Sequence, residues 1–278
     1  MAQKPATIQI GIVGFGHLGH FLVEKIQKDG PDMGLNLAFV WNRNSEKLKD
    51  SVPAELILHS LQEFPQRGAD LIVEVCHPQI VKDFGAQFLS RSHFLVGSPS
   101  ALSDPDLNQQ LRHAAKHYGR TLYVPSGALW GGPDIQKLND CGTLTALTVR
   151  MSKHPSCLRL SKDLLSDWSE GEGRRVLLSG PVADICPIAP NNVNTMAAAA
   201  IAGSTLGFTG VRGELVSDTA LTDYHVVEVE VTGVDGFTVK TVRRNPAKIG
   251  AVTGNATYNS FWSSLLLCRG HGGRVYLC

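Results

Sequence analysis

Three glycines near the N-terminus have the spacing of a phosphate-binding turn. Gly14, Gly16 and Gly19 follow the apolar run 7–13, which is typical of a buried parallel strand, and a helix is predicted over 18–28. Gly14 permits a tight turn, Gly16 lets the backbone approach a pyrophosphate, and Gly19 allows the helix to pack closely on the strand. The helix N-terminus adds free N–H groups and a partial positive charge. The residues predicted to bind a dinucleotide here are Gly14, Phe15, Gly16, His17, Leu18 and Gly19.

A second predicted strand, over 35–41, ends in residues that bear on the choice of cofactor. The chain continues as Asn42-Arg43-Asn44 and has no carboxylate before Glu46. A carboxylate at this point usually binds the ribose hydroxyls and selects NAD. Asn42 can hydrogen-bond a ribose hydroxyl, and Arg43 is either a partner for the 2′-phosphate of NADP or a solvated loop cation. The predicted cofactor is therefore NAD or NADP, with NADP accepted.

A third predicted strand, over 70–76, ends in Cys76-His77-Pro78, and Pro78 opens a helix over 79–90. Ligands of doubly wound sheets bind at the carboxyl ends of the strands. These three residues are therefore candidates to line the nicotinamide pocket. The alternative for Cys76 is a small buried apolar side chain without a chemical role.

One histidine, His225, stands near the start of a strand predicted over 223–231. Period-two alternation puts it on the same face as Val227, Val229 and Val231, while the opposite face is mostly charged. A lone histidine on an apolar face is usually a core residue, whereas a strand end commonly opens on a cleft. Both interpretations, a core imidazole and a catalytic base, fit this position.

The elements that must position these residues alternate through the first half of the chain. Further strands are predicted over 56–59, 93–97 and 121–124, and further helices over 45–50, over 61–66, and from a cap at Ser103 to about 118. This alternation predicts an α/β fold with an N-terminal Rossmann doubly wound parallel sheet. A cluster of Gly and Pro at 125–133 follows, so we assign 1–125 to an NAD(P)-binding domain.

The second half predicts a C-terminal α/β domain with a mixed sheet. Strands are predicted over 144–151, 175–179, 211–216, 223–231 and 237–242, and helices over 134–139, 190–202 and 255–267. Asn192 and Asn194 start the alanine-rich helix, where an amide either caps the helix or reaches a ligand. We assign 126–250 to catalysis, substrate binding and dimerisation. The helix and patternless tail of 251–278 are expected to pack back on the N-terminal domain.

Composition excludes several classes of function. The net charge of +1 provides no basic field for nucleic acid, and no apolar run approaches the ~20 residues of a membrane helix. The N-terminus has no signal-peptide pattern. The six cysteines are scattered without a C-x-x-C pair, which argues against a zinc site or a secreted disulfide scaffold. We expect a cytoplasmic protein with no metal, nucleic-acid or membrane partner.

Six stretches of the chain fall in a familiar order. They are the glycine turn, Val73-Glu74-Val75, Pro125-Ser126-Gly127-Ala128, Asn192-Val193-Asn194, His225 and Asn245-Pro246. Together they resemble the L-aspartate dehydrogenase family over nearly the whole chain. The resemblance implies a Rossmann domain with an α/β catalytic domain, usually as a homodimer. It also implies NAD(P)-dependent oxidative deamination of L-aspartate, through iminoaspartate, to oxaloacetate and ammonia.

The resemblance further implies roles for single residues. Ala128 and one of Asn192 and Asn194 are expected to contact the cofactor. His225 is expected to be the catalytic residue, as a base or as the activator of the water that hydrolyses the imine. The substrate is then a small dicarboxylic amino acid whose carboxylates need cations. Lys153, His154 and Lys248 are candidates, and solvated surface charge is the alternative for each.

Departures from the family pattern leave other functions open. Where the family usually has Asn-x-His, this chain has Asp223-Tyr224-His225, and Ala-Lys-Ile-Gly at 247–250 replaces the Lys-Thr-Ser that tends to follow Asn-Pro. One alternative is a related NAD(P)-dependent enzyme that acts on another amino or keto acid. The other is a catalytically impaired cofactor-binding protein.

Overall fold

The computed structural model describes residues 7–160 and 173–278, which form two sheets with helices packed against them. The first sheet has seven strands, and every neighbouring pair is parallel. Its strands are β1 (Ile8–Val13), β2 (Leu35–Trp41), β3 (Ile57–Leu58), β4 (Leu71–Glu74), β5 (His93–Val96), β6 (Leu122–Val124) and β12 (Val275–Leu277). They lie in the order β12-β6-β5-β4-β1-β2-β3.

Helices cover both faces of this sheet because its strands are apolar on both faces. They are α1 (His17–Asp29), α2 (Pro78–Arg91), α3 (Pro105–His117) and, from the far end of the chain, α8 (Asn255–Leu267). One buried cluster joins Ile10 and Ile12 of β1 to Leu22 of α1 and Phe261 of α8. A second cluster on the other face joins Val13 to α2 and α3. The predicted doubly wound sheet is confirmed.

The second sheet has five strands and is mixed, also as predicted. Its strands are β7 (Leu144–Lys153), β8 (Arg174–Pro181), β9 (Arg212–Asp218), β10 (Tyr224–Gly233) and β11 (Thr238–Pro246). The order is β11-β10-β7-β9-β8, with β7 and β9 parallel and the other pairs antiparallel. Helices α4 (Gly132–Asp140), α5 (Val182–Ile188), α6 (Asn194–Ala202) and α7 (Gly207–Gly210) accompany this sheet.

Short 3-10 helices fill several of the connections. They span Pro31–Met33, Ser45–Leu48, Ala54–Leu56, Leu61–Arg67, Pro99–Ser103, Pro155–Cys157 and Val234–Gly236. Within the described ranges, no helix combines the length and the apolar character needed to cross a bilayer.

The structure corrects several local expectations. The helix predicted over 45–50 is the 3-10 helix Ser45–Leu48, and Asn44 caps it, because its side chain accepts from the N–H of Glu46. Asp104, not Ser103, caps α3 by accepting from the N–H of Leu107. The tail, which has no sequence pattern, contains β12, and β12 pairs with β6. Segment 251–278 thus contributes both α8 and β12 to the first sheet and its helices.

Candidate active site

The glycine turn is tightly packed at two glycines and open at the third. Gly14 has φ +115°, and a Cβ there would lie 2.7 Å from Cβ of Cys76. A Cβ on Gly19 would lie 2.1 Å from the carbonyl oxygen of Gly14, whereas one on Gly16 would meet nothing within 4 Å. Gly16 is also the N-cap residue of α1, and no side chain caps that end. The open space before free N–H groups fits a pyrophosphate.

Asn42 supports this turn from the end of β2. Its Oδ1 accepts from the N–H of Phe15 at 3.2 Å, and its Nδ2 donates to the carbonyl of Asn44 at 2.8 Å. The Asn42 amide therefore braces the turn, which limits its freedom to bind a ribose hydroxyl. Arg43, two residues beyond the end of β2, is exposed.

The loop after β4 does not contribute side chains to the central cleft described below. Cys76 is exposed, so the alternative of a buried apolar side chain is wrong. His77 caps α2, because its Nδ1 accepts from the N–H of Gln79 at 3.1 Å, and Pro78 is buried in the first turn of that helix. All three lie at the carboxyl edge of the sheet.

Glu74 holds this edge together, and sequence reasoning assigned it no role. Its carboxylate is fully buried and accepts from the N–H groups of Cys76, His77 and Ser98 and from the Ser98 hydroxyl. Burial raises the pKa of Glu74, and these hydrogen bonds oppose the rise. A carboxylate inside the otherwise apolar β4 was the available signal. It fixes the loops after β4 and β5 relative to each other.

A cleft of about 740 Å³, including its open mouth, lies between the two sheets and is called the central cleft. It receives residues from α1, the loop after β6, the ends of β7, β10 and β11, the start of α6, and the approach to α8. Six of the candidate site residues line it: Leu18, Ala128, Lys153, Asn192, Asn194 and His225. The fold thus brings together residues as far apart in the sequence as Leu18 and His225.

His225 lies in the floor of the central cleft. It is 5% exposed, and its Nε2 has no hydrogen-bond partner among the described residues. Burial, together with the charge of Lys153, lowers the pKa of His225 to about 4, while a hydrogen bond with the backbone of Ala251 acts in the opposite direction. The imidazole is therefore neutral at physiological pH, which is the protonation state that a general base requires.

Lys153 lies beside it as the last residue of β7, two positions beyond the predicted end of that strand. It is 5% exposed, and its Nζ donates to the carbonyl of Val252 at 3.0 Å. Burial lowers the pKa of Lys153 to about 8, and within the described ranges no carboxylate contributes to its environment. Buried charges are normally paired, so a buried ammonium without a counter-ion is suited to a ligand carboxylate.

The loop 125–128 is held from three sides. Gly127 has φ +59°. Its carbonyl accepts hydrogen bonds from the Arg243 guanidinium at 3.2 Å and from the Ser260 hydroxyl at 2.8 Å. The N–H and hydroxyl of Ser126 both donate to the carbonyl of Cys278. These bonds fix Ala128 against the central cleft.

Asn192, which precedes α6, and Asn194, its first residue, use their amides for tertiary contacts. Asn192 bonds the backbone N–H and carbonyl of Arg159 at 3.0 and 2.8 Å. Asn194 accepts from the N–H of Ser100 and donates to the carbonyl of Gly97, both at 3.4 Å. Neither amide caps α6, whose N-cap is Val193, so the capping alternative is wrong. Asn194 instead connects α6 to the first sheet.

Two predicted substrate residues lie outside the central cleft. His154 accepts from the N–H of Ser156 and contacts its hydroxyl at 2.7 Å. Lys248 is exposed, and its carbonyl accepts from the Cys157 thiol. Neither side chain lines the cleft, so the structure does not support them as ligands of a substrate bound there. By contrast, Asn245 lines the cleft and was not predicted to act in it.

Known proteins resemble this chain in both halves. The family model described as "Aspartate dehydrogenase, C-terminal" matches residues 134–264, and "Homoserine dehydrogenase, NAD binding domain" matches residues 14–125. An "Aspartate dehydrogenase domain-containing protein" of Danio rerio is 74% identical over 278 residues, which are 100% of both chains. An "L-aspartate dehydrogenase" of Methanococcoides burtonii is 28% identical, over 86% of this chain and 89% of that protein. The crystal structure of aspartate dehydrogenase from Thermotoga maritima has a TM-score of 0.71 at 20% identity, covering 94% of this chain and 97% of that chain.

Proposed function

Because this chain belongs to the aspartate dehydrogenase family, we propose that it catalyses the NAD(P)-dependent oxidative deamination of L-aspartate to oxaloacetate and ammonia through iminoaspartate. The observation that carries the proposal is a pair of groups in one cleft: the buried imidazole of His225, whose Nε2 has no partner among the described residues, and the buried ammonium of Lys153. The first is a base and the second an anion site. L-Aspartate offers its amino group to the base and a carboxylate to the anion site.

The cofactor is proposed to lie across the glycine turn, with its pyrophosphate over Gly16 and its nicotinamide beside Ala128 and Asn194. The N-terminus of α1 would hold the phosphates, and the loop 125–128 would hold the nicotinamide against the central cleft. When the cofactor is bound, its nicotinamide accepts the hydride from Cα of the substrate. Arg43 is proposed to accommodate the 2′-phosphate of NADP, because it is an exposed cation at the end of β2.

The chain's own groups are proposed to manage protons and orientation. Lys153 binds a carboxylate and so fixes where Cα lies. Nε2 of His225 takes a proton from the substrate ammonium, so that the nitrogen lone pair can form the imine as the hydride leaves. After that proton has passed to solvent, the neutral Nε2 takes a proton from the water that adds to the iminium carbon. It then returns this proton to the amine nitrogen, and ammonia leaves as the C=O bond of oxaloacetate forms and the hydroxyl proton passes to solvent.

The test is to replace His225 by Ala and to use His154→Ala as the matched control, because His154 lies nearby but outside the central cleft. His225→Ala should lower turnover of L-aspartate by at least about a hundredfold, as expected for loss of a general base. Reduced-cofactor absorbance gives turnover, and quenching of protein fluorescence gives cofactor affinity. Cofactor affinity should stay within about twofold in both variants, since neither histidine is part of the proposed pyrophosphate site.

Undiminished turnover in His225→Ala would remove this residue from the mechanism. Cofactor binding by the wild-type chain without turnover of any amino or keto acid would favour the impaired cofactor-binding protein instead. Turnover of another amino or keto acid in place of L-aspartate would favour the related dehydrogenase.

We also propose the division into an NAD(P)-binding domain at 1–125, a catalytic and dimerisation domain at 126–250, and a terminal segment at 251–278. Separate sheets support the first two, and the position of α8 and β12 supports the third. A homodimer is proposed from the family resemblance alone. Light scattering during size-exclusion chromatography would test it, and a monomeric mass would contradict it.

A further inference from the structure

Three polar residues form a row across adjacent strands in the floor of the central cleft. The antiparallel register pairs His225 of β10 with Asn245 of β11. On the other side of β10, Val226 pairs with Ser152, and continuing that register by one residue sets Lys153 of β7 opposite His225. All three side chains are buried and line the cleft.

The row has two acceptors at one end and a donor at the other. Asn245 is 2% exposed, and its Oδ1 has no hydrogen-bond partner in the described part of the chain, as is also true of Nε2 of His225. Buried acceptors in native proteins are nearly always satisfied, so two orphans on neighbouring strands call for a ligand that brings donors. Lys153, at the opposite end, brings only N–H donors and a positive charge.

We propose that the carboxamide oxygen of Asn245 binds the amino group of the substrate, an inference that rests on the proposed function. The amino group then lies between Asn245 and His225, and a carboxylate lies at Lys153. This arrangement fixes which way round an amino acid lies in the cleft. In the reverse reaction the same two acceptors hold ammonia while it adds to the keto acid.

A neutral acceptor suits this position better than a carboxylate does. An ammonium group beside a carboxylate keeps its proton, because the opposite charge favours the charged form. The amide oxygen of Asn245 accepts a hydrogen bond without that penalty, so the ammonium can still give a proton to His225. Asn245→Asp is therefore expected to bind L-aspartate at least as tightly as the wild type but to turn it over at least about tenfold more slowly.

The deciding experiment measures binding and so does not depend on turnover. Calorimetric titrations with the reduced cofactor present compare L-aspartate with succinate, which has both carboxylates but no amine. The wild type should prefer L-aspartate by about tenfold or more, and Asn245→Leu should abolish that preference while keeping succinate affinity within about twofold. Lys153→Met, as the matched variant, should weaken both ligands. Thermal unfolding confirms that each variant is folded.

The outcomes separate this inference from the proposed function. Equal affinity of the wild type for the two ligands would overturn the inference, as would a preference for L-aspartate that survives in Asn245→Leu. The latter result would make Asn245 a positioning residue for the His225 ring. A preference that disappears in Asn245→Leu, in a protein without turnover of L-aspartate, would support the amine site and overturn the proposed reaction. Binding of neither ligand by the wild type would overturn both.

Discussion

At the scale of single residues, the central cleft keeps one group neutral and its neighbour charged. Burial disfavours the charged form of both, and the ammonium of Lys153 further lowers the pKa of His225. His225 titrates at about 4 and Lys153 at about 8. Between these values the imidazole is a free base and the lysine is a cation, which is the combination that the proposed reaction needs.

This pair predicts the pH dependence of kcat/KM for L-aspartate. As the pH rises through about 8, Lys153 loses its proton and its hold on the carboxylate, so kcat/KM should fall. As the pH drops through about 4, His225 gains a proton and can no longer act as a base. Initial rates across this range, taken within the limits of stability, give the profile.

Lys153→Arg provides the control for the alkaline limb. A guanidinium stays protonated over the accessible range, so the variant should lose the fall near pH 8 even if its activity is lower throughout. An unchanged alkaline limb would assign that limb to another group.

At the scale of elements, the turn between β1 and α1 separates the demands of folding from those of binding. A Cβ on Gly19 would overlap the carbonyl oxygen of Gly14, whereas the space beside Gly16 is empty. The backbone of Gly16 has φ −79°, which any residue adopts. One glycine thus serves packing, and the other leaves room for a ligand.

The prediction is that Gly16→Ala binds poorly and Gly19→Ala folds poorly. Gly16→Ala should keep the melting temperature within about 2 °C but weaken NAD(P)H binding by about tenfold or more, because its methyl would enter the proposed pyrophosphate space. Gly19→Ala should be destabilised by about 2 kcal/mol or more, since backbone must move. Calorimetry and fluorescence titration give the two quantities. Unweakened binding by Gly16→Ala would place the phosphates elsewhere.

The elements also show which parts of the molecule the sequence could predict. The bounds of β2 and α8 were predicted to the residue, because long apolar runs and helical periodicity are local properties. β12 has only three residues, and it forms a strand by pairing with β6, which lies about 150 positions earlier in the sequence. The cap of α3 was misplaced by one residue because Ser103 and Asp104 carry equally suitable side chains.

The candidate site followed the same rule. The glycine turn is a local motif, so it could be predicted from spacing alone. The pairing of Asn245 with His225 depends on the register of two strands, and the burial of Lys153 depends on the segment around Val252. Strand pairing and burial of this kind are tertiary properties, and the residue pattern of a single strand does not predict them. Lys153 and Lys248 have the same side chain, but Lys153 is buried and Lys248 is exposed, a difference that the sequence does not show.

At the scale of the whole molecule, the C-terminal tail is bonded to β6 and to the loop 125–128 at the candidate site. β12 extends the first sheet, the hydroxyl of Thr121 bonds both Gly272 and His271, and the carbonyl of Cys278 holds Ser126. Loop 125–128, which carries Ala128, therefore depends on residues at the far end of the sequence.

Removal of residues 275–278 should accordingly affect both stability and binding. We expect the melting temperature to drop by several degrees, at about 2–4 °C per kcal/mol for a chain of this size, and NAD(P)H affinity to fall about fivefold or more as Ser126 loses its partner. Thr121→Val loosens the tail but keeps Cys278, so it should lower the melting temperature with a smaller effect on affinity. Full affinity in the truncated protein would show that the loop is set without the tail.

The pairing of β12 with β6 also constrains how the protein emerges from a ribosome. A nascent chain makes six strands of the first sheet early, but the strand that covers β6 is translated after the whole of the second sheet. Until then β6 is an open edge, which is a site where foreign strands add. Synthesis therefore passes through a period in which chaperone protection of that edge is most useful, and it ends only when the final segment docks.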